Sequence, residues 1–483
     1  MLSRRTVFSV GYPYRGHMSW RTDYRDTDEL RYFTELTKVP RPSGHLDRIR
    51  EYLIAFADSH NLEHEADAAG NILIRRRGSG RTVVLQGHMD IVATCASGYE
   101  FDFENVPLDT YIENGWITAR GTTLGGDDGG GLALMMCALT DPSLEGIDLE
   151  CLFTADEEVG LIGALGMEPG WLSGRVLINL DSEDINEITI GSAGSADVEA
   201  VFPFSPEEDT DQAYRVEISG LRGGHSAGEI DRDRGNAIRI VAEFLSRLKG
   251  VRISSFRGGS APNVIPMTAS ALFTVPGSCP VDRIFEEYSA GCVNLLEEPD
   301  YVFSLRPAQC SEAWSAKDTS DYLDAILSCP NGVFERDGYG VKTSSNLGVA
   351  DEGRIVAKPR SSDFATLKRL IANQSELFRS RGASVEDPVA FPAWRESEDC
   401  ELVRIASETY RGYFGREPRV VVTHGGLESS TIKDKHPGME AISIGPTVLG
   451  AHTPDEKMDL RTLTEAKGYL FELVRRLSSG KYI

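Results

Sequence analysis

The sequence contains no apolar run of the length that a membrane-spanning helix needs, and it is poor in basic residues. Its 50 lysines and arginines stand against 74 aspartates and glutamates, which gives a net charge of −24. Such a surface repels nucleic acid phosphates and anionic lipids. We therefore expect neither a nucleic acid nor a membrane as a partner.

Cysteine is sparse and scattered, with eight residues and no pair at Cys-x-x-Cys spacing. This pattern does not indicate a disulfide framework, and we predict a reducing, cytoplasmic location. The sequence also lacks HExxH and G-x-x-x-x-G-K-[ST]. These absences exclude a thermolysin-like metal site and a P-loop.

The first 27 residues are predicted to be a disordered N-terminal tail. Arg4 and Arg5 resemble the start of a twin-arginine signal, but the apolar segment behind them is short and no small-residue cleavage site follows. An upstream start codon, with Met18 as the true first residue, is the alternative explanation.

A chain of 483 residues exceeds one ordinary hydrophobic core, so two domains are expected. Within residues 28–189, apolar strand patterns alternate with helical patterns, which predicts an α/β domain around a mostly parallel sheet. Residues 190–390 combine helices with half-exposed strands and predict a second, α+β domain, and residues 391–483 return to the first pattern. One local expectation is that Ser43 is the N-cap of the helix that follows it.

Polar side chains follow three apolar strands of the first domain at the point where each strand ends. VVLQGHMD ends in His88 and Asp90, CLFTADEE ends in three acids, and VLINLDSE ends in Asp181 and Glu183. A Gly-rich segment, GTTLGGDDGGG, adds Asp127 just before an apolar helix. Because the carboxyl ends of parallel strands meet along one edge of a sheet, we expect these side chains in a single crevice.

Each of these features has an ordinary structural explanation when it is taken alone. The His-x-Asp pair is typical of a capped strand end, the Gly-rich segment of a turn, and adjacent glutamates of a solvent-facing pair. Taken together, however, crowded carboxylates repel each other unless a cation neutralises them. A histidine among several carboxylates suits Zn²⁺ or a similar divalent ion, so we predict a metal site.

A zinc site usually has more than one histidine, and the C-terminal part of the chain offers two. His452 lies in the loop segment SIGPTVLGAHTPDEKMDL, and His424 ends the apolar strand in VVVTHGGLESS. Each is also compatible with a plain loop histidine. If His452 joins His88 in one site, the last hundred residues belong to the first domain, and residues 190–390 are an insertion.

The sequence resembles the dinuclear zinc exopeptidases of the carboxypeptidase and dipeptidase type, and among them the aminoacyl-histidine dipeptidase (peptidase D, Xaa-His dipeptidase) branch. The resemblance extends from about residue 28 to the C-terminus. It rests on a series of segments in the family's order: NILIRR, VVLQGHMDIV, ITARGTTLGGDDGGG, TADEEVG, LINLDSE, LRGGHSAGEI, NVIPMTA, THGGLESS and SIGPTVLGAHTPDE.

This resemblance implies two divalent metal ions per chain, with zinc as the first expectation and manganese or cobalt as alternatives. The implied ligands are His88 and Asp181 for one ion, Glu158 and His452 for the other, and Asp127 as the bridge between them. It also implies that the first domain is catalytic and that the inserted domain is a lid over its site.

The resemblance also assigns chemical roles to other residues. Glu157 is the implied general base for a hydroxide that bridges the two ions. Asp90 is the implied acid that orients His88, and His225 the implied stabiliser of the oxyanion.

Three residues are the candidates for holding the substrate: Asn263, Arg360 and His424. An arginine fork suits a substrate carboxylate, although a surface arginine beside a turn is the plainer explanation for Arg360. The chain departs from the branch at Asp128, where asparagine is preferred. We expect this extra negative charge to shift the metal affinity or the working pH.

The function that the resemblance implies is metal-dependent hydrolysis of dipeptides, of the Xaa-His type or more broadly. An N-acyl amino acid deacylase or a tripeptidase with the same site is the alternative. Two weaker rivals are a non-catalytic binding relative and a serine hydrolase that uses Ser226 in GHSAG, which lacks the strand and helix of a nucleophile elbow. A small peptide is the expected partner, and a homodimer through the lid domain is left open.

Overall fold

The computed structural model of the chain describes residues 26–291, 298 and 300–479. The prediction of a disordered tail for residues 1–27 therefore lies almost wholly outside the described residues. Among the described helices, none is both long enough and apolar enough to span a lipid bilayer.

Helices lie between most groups of strands and close the described chain. In the described residues they are α1 (Asp28–Leu36), α2 (Asp47–Ser59), α3 (Gly126–Thr140), α4 (Ile162–Gly166), α5 (Ala237–Ser246), α6 (Val281–Gly291), α7 (Ala316–Ser328), α8 (Phe364–Arg379), α9 (Glu401–Phe414), α10 (Glu428–Lys435) and α11 (Leu460–Ser478). Helix α3 is buried along almost its whole length, as its apolar sequence requires.

The strands of the described residues form two large and two small sheets. Those before residue 200 are β1 (Glu63–Ala66), β2 (Ile72–Arg76), β3 (Ser79–His88), β4 (Thr110–Glu113), β5 (Trp116–Ala119), β6 (Ile147–Thr154), β7 (Val176–Asn179), β8 (Glu187–Ser192), β9 (Gly194–Ala196) and β10 (Val198–Val201). The next are β11 (Glu207–Glu208), β12 (Gln212–Ser219), β13 (Arg252–Gly258), β14 (Ala269–Val275), β15 (Val302–Pro307), β16 (Glu312–Ala313), β17 (Gly332–Asp337), β18 (Gly340–Asp351) and β19 (Arg354–Ser361). The last are β20 (Ala390–Phe391), β21 (Trp394–Arg395), β22 (Arg419–Thr423), β23 (Glu440–Ser443), β24 (Val448–Leu449) and β25 (Lys457–Asp459).

The first large sheet has the order β1-β2-β6-β3-β7-β23-β8-β21, with β22 beside β8. Its centre, β6-β3-β7-β23, is parallel, and antiparallel pairs flank it. The central strands are apolar on both faces because helices cover both sides. The predicted α/β domain is therefore confirmed, and its sheet, expected to be mostly parallel, is mixed, with parallel strands at the centre and antiparallel pairs at the flanks.

The second large sheet has the order β15-β12-β14-β13-β18-β19-β9-β20 and is antiparallel throughout this path. It has a hydrophobic core of its own, separate from that of the first sheet. The predicted α+β architecture of the second unit is confirmed. The chain leaves the first sheet after β8, enters the second at Gly194, and returns to the first at Trp394. We propose residues 194–391 as the inserted domain.

A four-stranded sheet, β24-β25-β5-β4, joins the C-terminal part of the chain to the first domain. Its β4–β5 hairpin turns at Asn114 and Gly115, which both have positive φ angles. This geometry is that of the two-residue turn that an Asn-Gly pair favours, as the sequence predicts. The strands β24 and β25 enclose the loop that contains His452.

Two local expectations from the sequence differ from the structure. Ser43 is not a helix N-cap, because α2 begins four residues later and Leu46 precedes it. The Ser43 hydroxyl instead donates to Asp90 Oδ2 at 2.7 Å. Strands β13, β17 and β18 were also not expected, since their polar side chains weaken the apolar alternation that indicates a strand.

Candidate metal centre

The carboxyl ends of three neighbouring parallel strands bring the predicted acids and His88 together. His88 is the last residue of β3 and pairs in register with Thr154, the last residue of β6. Glu157 and Glu158 follow β6, and Asp181 follows β7. The single crevice expected from the sequence therefore forms at this edge of the sheet.

His88 is fully buried, and its two ring nitrogens have different partners. Nδ1 lies 3.1 Å from the carbonyl oxygen of Asp90, to which it donates, so in the neutral imidazole Nε2 keeps its lone pair. Nε2 lies 2.9 Å from Asp127 Oδ1 and 3.6 Å from Asp181 Oδ1. This is the tautomer and the orientation that a metal-binding histidine requires.

His452 reaches the same cluster from a loop 325 residues away from Asp127. Its Nε2 lies 3.1 Å from Asp127 Oδ2 and 2.9 Å from Glu158 Oε1. The second of these approaches does not have the angles of a hydrogen bond, since Glu158 Oε1 is buried without a hydrogen-bond partner. A nitrogen and an oxygen atom that face each other in this way could both be ligands of one cation between them.

Asp127 lies between the two imidazoles and presents one oxygen to each. Ligand atoms of His88, Asp127 and Asp181 lie within 4.8 Å of one another, as do those of Asp127, Glu158 and His452. Imidazole nitrogen and carboxylate oxygen are ligands that Zn²⁺ accepts, and His88, Glu157 and Glu158 form a further group of this kind. The donor set therefore fits a pair of divalent ions with Asp127 in common.

The electrostatics of the cluster reflect its crowded carboxylates. Burial, together with the charge on Asp127, raises the pKa of Asp181 to about 7. Burial also raises the pKa of Glu158. For His452, burial lowers the pKa, but the hydrogen bond to Asp127 and the adjacent carboxylate of Glu158 outweigh it and raise the pKa to about 11. These shifts show that the cluster is short of positive charge, which bound cations would supply.

Asp90 lies beneath the cluster and holds several groups at once. Its carboxylate accepts the backbone N–H groups of Glu157 at 2.9 Å and Glu158 at 3.2 Å, besides the Ser43 hydroxyl. Its own Oδ1 lies 3.5 Å from His88 Nδ1, farther than its carbonyl oxygen. Asp90 therefore positions both the imidazole of His88 and the two glutamates that follow β6.

The Asp128 carboxylate binds two backbone N–H groups. It accepts the backbone N–H of His88 at 3.2 Å and of Gly131 at 3.0 Å. A side chain at Gly87 or Gly131 would collide with this carboxylate, since a Cβ at either position would lie 2.2 Å from one of its oxygens. Asp128 thus anchors the strand end that carries His88.

A cavity of about 1210 Å³ opens beside the cluster and is lined by both domains. It is larger than the range of about 300–1,000 Å³ that is common for small-molecule sites, so the cleft is open. Asp127, Glu157, Glu158, Asp181 and His452 line one side, which we call the acid side. The inserted domain contributes the opposite side, which we call the cation side and define as His225, Lys358 and Arg360.

On the cation side, Arg360 is the residue whose side chain lacks hydrogen-bond partners among the described residues. It is 4% exposed, and it makes no hydrogen bond or ion pair with any residue that the structure describes. Burial lowers its pKa to about 10. The nearest acid that affects its pKa, Asp197, is already paired with Lys358 at 2.7 Å. A buried guanidinium without a partner on a cavity wall fits an anionic group of a ligand.

His225 and Asn263 line the cavity beside Arg360. His225 Nδ1 accepts the Ala227 backbone N–H at 3.4 Å, which leaves Nε2 as the proton-bearing nitrogen. Loss of hydration, with the charge on Arg360 acting in the same direction, lowers the pKa of His225 to about 4. Neutral His225 can therefore donate a hydrogen bond into the cavity at physiological pH.

Two other predicted residues do not line the cavity. His424 Nε2 lies 2.7 Å from Ser344 Oγ, so this histidine joins the C-terminal part of the first domain to β18 of the inserted domain. Ser226 Oγ is buried and has no hydrogen-bond partner among the described residues. A nucleophilic serine needs a base within hydrogen-bond reach, so this geometry disfavours a serine hydrolase.

Three buried charged residues around the site were not predicted from the sequence: Arg41, Glu428 and Glu456. Glu428 accepts hydrogen bonds from Gln86 at 2.6 Å and Thr154 at 2.5 Å, and burial raises its pKa to about 8. Each belongs to a polar segment in which a solvated side chain is the ordinary expectation. No periodicity or spacing distinguishes them, since their partners lie far away along the chain.

The fold and the cluster define the class of protein as a two-domain, metal-dependent hydrolase. The model of the family "Peptidase family M20/M25/M40" matches residues 84–476, and the chain belongs to this family. It is an enzyme of the peptidase class that hydrolyses peptide bonds. The membership in a peptidase family that the sequence motifs indicate is confirmed.

Two relatives are similar over almost the whole chain. The cytosol non-specific dipeptidase of Escherichia coli (strain K12) is 31% identical over 468 residues, which cover 92% of this chain and 96% of that relative. The structure of aminoacylhistidine dipeptidase from Vibrio alginolyticus is 30% identical in sequence, with a TM-score of 0.78, and covers 94% of this chain and 98% of that one. A tripeptidase structure from Staphylococcus aureus, 18% identical with a TM-score of 0.56 and covering 93% and 98%, shares the fold.

Proposed function

We propose that the protein hydrolyses dipeptides, Xaa-His dipeptides among them, with two divalent metal ions, and that it does so in the cytoplasm. The observation that carries this proposal is Asp127, which presents one carboxylate oxygen to each of two imidazoles. The names of the two relatives, a cytosol dipeptidase and an aminoacylhistidine dipeptidase, support the substrate class and the location.

The residues of the cluster would hold the two ions in two overlapping sets. His88 and Asp181 would bind one, Glu158 and His452 the other, and Asp127 both. Zinc is the first expectation, because imidazole nitrogen and carboxylate oxygen suit it, with manganese or cobalt as alternatives. Bound there, such ions would lower the pKa of a water molecule and would polarise the carbonyl group of a peptide bond.

Glu157 is the residue that we propose as the general base. It lines the cavity next to Glu158, and its backbone is fixed by Asp90. Because adjacent side chains diverge, Glu158 is able to serve as a ligand while the Glu157 carboxylate stays free. We assign to that carboxylate the removal of a proton from the attacking water and its delivery to the leaving amine.

The cation side would bind the substrate. We assign the C-terminal carboxylate of the dipeptide to Arg360, whose guanidinium has no partner of its own among the described residues. His225 would donate from Nε2 to the oxyanion, and Asn263 would hold the peptide beside it. His424 lies outside the cavity wall, so we assign it to the junction between the domains.

The experiment that tests the proposal is a substrate panel with matched metal measurements. Dipeptides, a tripeptide and an N-acetyl amino acid are offered to the purified protein before and after chelation, with bound metal quantified in each sample. We expect dipeptide hydrolysis that chelation abolishes and Zn²⁺ restores. Preference for the tripeptide or the N-acetyl amino acid would favour the alternative substrates, which the size of the open cleft also admits.

Two further arms test the remaining rivals. A serine-directed inhibitor is expected to leave the activity unchanged, since Ser226 is buried. A preparation that binds metal but hydrolyses none of the panel would favour a non-catalytic relative. A homodimer through the inserted domain stays a prediction.

A further inference from the structure

The turn that carries Asp127, residues 124–127, is held from both faces by buried charges. On one face, the Glu456 carboxylate is 2% exposed and accepts four consecutive backbone N–H groups. Oε2 accepts those of Leu124 at 2.7 Å and Gly125 at 2.9 Å, and Oε1 those of Gly126 at 2.7 Å and Asp127 at 3.2 Å. Hydrogen bonds to a carboxylate are stronger than neutral ones, so these contacts hold the turn firmly.

On the opposite face, the guanidinium of Arg41 is 1% exposed and binds carbonyl oxygens. Nη2 donates to the Gly125 carbonyl at 2.8 Å. Nη1 donates to the carbonyls of Met89 at 2.8 Å and Asp90 at 3.3 Å. Arg41 therefore ties the Asp127 turn to the chain that leaves β3 directly after His88.

The glycines of GGDDGGG make this close approach possible. A Cβ at Gly126 would lie 3.2 Å from Glu456 Oε1, and a Cβ at Gly125 would lie 3.0 Å from Arg41 Nη2. At Gly129 the distance to Arg41 Nη2 would be 2.6 Å, so the guanidinium would have to move. Two charged groups that lie directly against the backbone thus account for the glycines at 125, 126 and 129, whereas Gly130 faces Pro446 and Gly131 faces Asp128.

Each charge connects the Asp127 turn to a different set of ligand side chains. Glu456 lies four residues after His452, in the loop between β24 and β25, whereas Arg41 contacts the segment after His88. We infer that Arg41 and Glu456 form a charge clamp, in which Glu456 positions His452 against Asp127 and Arg41 positions His88 against Asp127. This inference rests on the proposed metal-binding function.

The two histidines that the charge clamp positions differ in how much other structure holds them in place. His88 ends a central strand and is buried, so the sheet already positions it. The His452 side chain is 49% exposed and lies in a loop whose other hydrogen bonds are mostly internal. Thr453 donates to Gly450 O from its N–H at 3.2 Å and its hydroxyl at 2.7 Å, and the N–H groups of Asp455 and Glu456 donate to Thr453. From outside the loop, the Thr118 hydroxyl donates to Glu456 O at 2.7 Å. The ion of the His452 set should therefore depend on the charge clamp more strongly than the ion of the His88 set.

The test measures metal binding itself. The metal-free full-length protein is titrated with Zn²⁺ by calorimetry, and with Co²⁺ by visible absorption, for the wild type and for Glu456→Gln. In the variant, an amide NH₂ replaces one acceptor oxygen and faces N–H groups, so the turn loses half of its anchor. We expect the wild type to bind two ions, and the variant to keep one ion at wild-type affinity and bind the second about 10- to 100-fold more weakly.

Glu150→Gln is the matched control. Glu150 is also fully buried and accepts two backbone N–H groups, those of Ser173 at 2.9 Å and Gly174 at 3.0 Å, but it lies away from the cluster. We expect both ions to bind this control as they bind the wild type. Equal weakening of both ions in Glu456→Gln, or the same loss in Glu150→Gln, would show a general structural role and overturn the inference.

The remaining outcomes separate this inference from the proposed function. A wild type that binds no ions would refute the proposed function itself, whereas a folded Glu456→Gln that binds both ions at wild-type affinity would refute the charge clamp alone. If Glu456→Gln shows no cooperative thermal unfolding, Arg41→Lys tests the turn from its other face. We expect that variant to weaken the ion of the His88 set, and unchanged binding in it would also refute the charge clamp.

Discussion

The two sides of the cavity satisfy their charges in opposite ways. On the acid side, backbone and side-chain groups of the same chain already hold the carboxylates or the segments that carry them: Asp90 anchors the backbone of Glu157 and Glu158, and Glu456 anchors that of Asp127. On the cation side, Lys358 is paired with Asp197, but Arg360 has no hydrogen-bond partner among the described residues, and His225 accepts one long hydrogen bond.

This difference indicates which kind of charged group each side binds. A buried charge costs free energy unless it is paired, so an unpaired one is expected where a ligand completes the pair. The acid side is preorganised for small cations whose positions must be exact to within a fraction of an ångström. The cation side leaves its charge for the anionic end of a substrate. The predictions below test this division, from the largest expected effect to the smallest.

Removal of the proposed base should cause the largest loss of activity, and it should lower the catalytic rate without affecting metal binding. We expect Glu157→Ala to retain its bound metal and to lose turnover by about 10²- to 10⁴-fold, the usual contribution of a general base. The measurement is kcat together with metal content for each protein. Glu187→Gln, on the wall of the same cavity but away from the ligands, is the control and should stay near wild type. Near-normal activity in Glu157→Ala would rule out its role as base.

Removal of the proposed oxyanion donor on the cation side should have the next largest effect. We expect His225→Ala to lower kcat by about 10²- to 10³-fold with little change in KM, because the donor acts mainly in the transition state. Since the pKa of His225 is lowered to about 4, its state does not change between pH 6 and 8. The pH profile of kcat in this range should therefore keep its shape in the variant. An equal rise in KM would place His225 in substrate binding instead.

Replacement of Arg360, whose guanidinium has no partner among the described residues, should lower the preference for substrates with a free carboxylate, by a smaller factor than the two changes above. We expect Arg360→Met to lower kcat/KM for dipeptides by about 10- to 100-fold, as the loss of a charge-assisted hydrogen bond predicts. Dipeptide amides, which lack the carboxylate, should be hydrolysed equally by both proteins. A similar loss for both substrates would mean that Arg360 supports the structure of the cavity and does not bind the carboxylate.

The smallest effect concerns the junction between the two domains. Burial, with the charge on Arg360 next, lowers the pKa of His424 from its ordinary 6.5 to about 4. Between these values the unfolded chain binds more protons than the folded one, so stability falls as the pH drops from 6.5 towards 4. We expect His424→Gln to reduce the loss of unfolding free energy between pH 7 and pH 5 by on the order of 1 kcal/mol. Urea unfolding at both pH values measures it, and identical losses would contradict the assignment.

Local pattern was sufficient for much of the fold. The apolar runs of β3, β6 and β7 predict buried parallel strands, and the strands lie where the pattern places them. The polar residues at their ends predict one crevice, because period-2 alternation and the common edge of parallel strands determine where they point. Strands with polar alternation, such as β13 and β18, escaped prediction, since their apolar face is visible only against the helices that cover it.

The sequence predicted which kinds of residue are the ligands of the site. It predicted far fewer of the residues that hold those ligands in place. His88, Asp127 and Asp181 follow from strand ends and a Gly-rich segment, and His452 follows from family motifs. Ser43 shows the limit, because a serine before a helix is typical of an N-cap, yet its hydroxyl binds Asp90 47 residues away. Arg41 and Glu456 give no local signal at all, since each makes its contacts with backbone atoms of distant segments.

The sequence by itself therefore determined the α/β core, the single acidic edge and the kinds of ligand at that edge, because these depend on side-chain periodicity over a few residues. Only the tertiary structure decided that Arg41 and Glu456 enclose the turn between them, and that Arg360 faces a cavity without a partner among the described residues. The physical reason is that hydrogen bonds and ion pairs act over a few ångströms in space, whereas these partners lie tens to hundreds of residues apart along the chain.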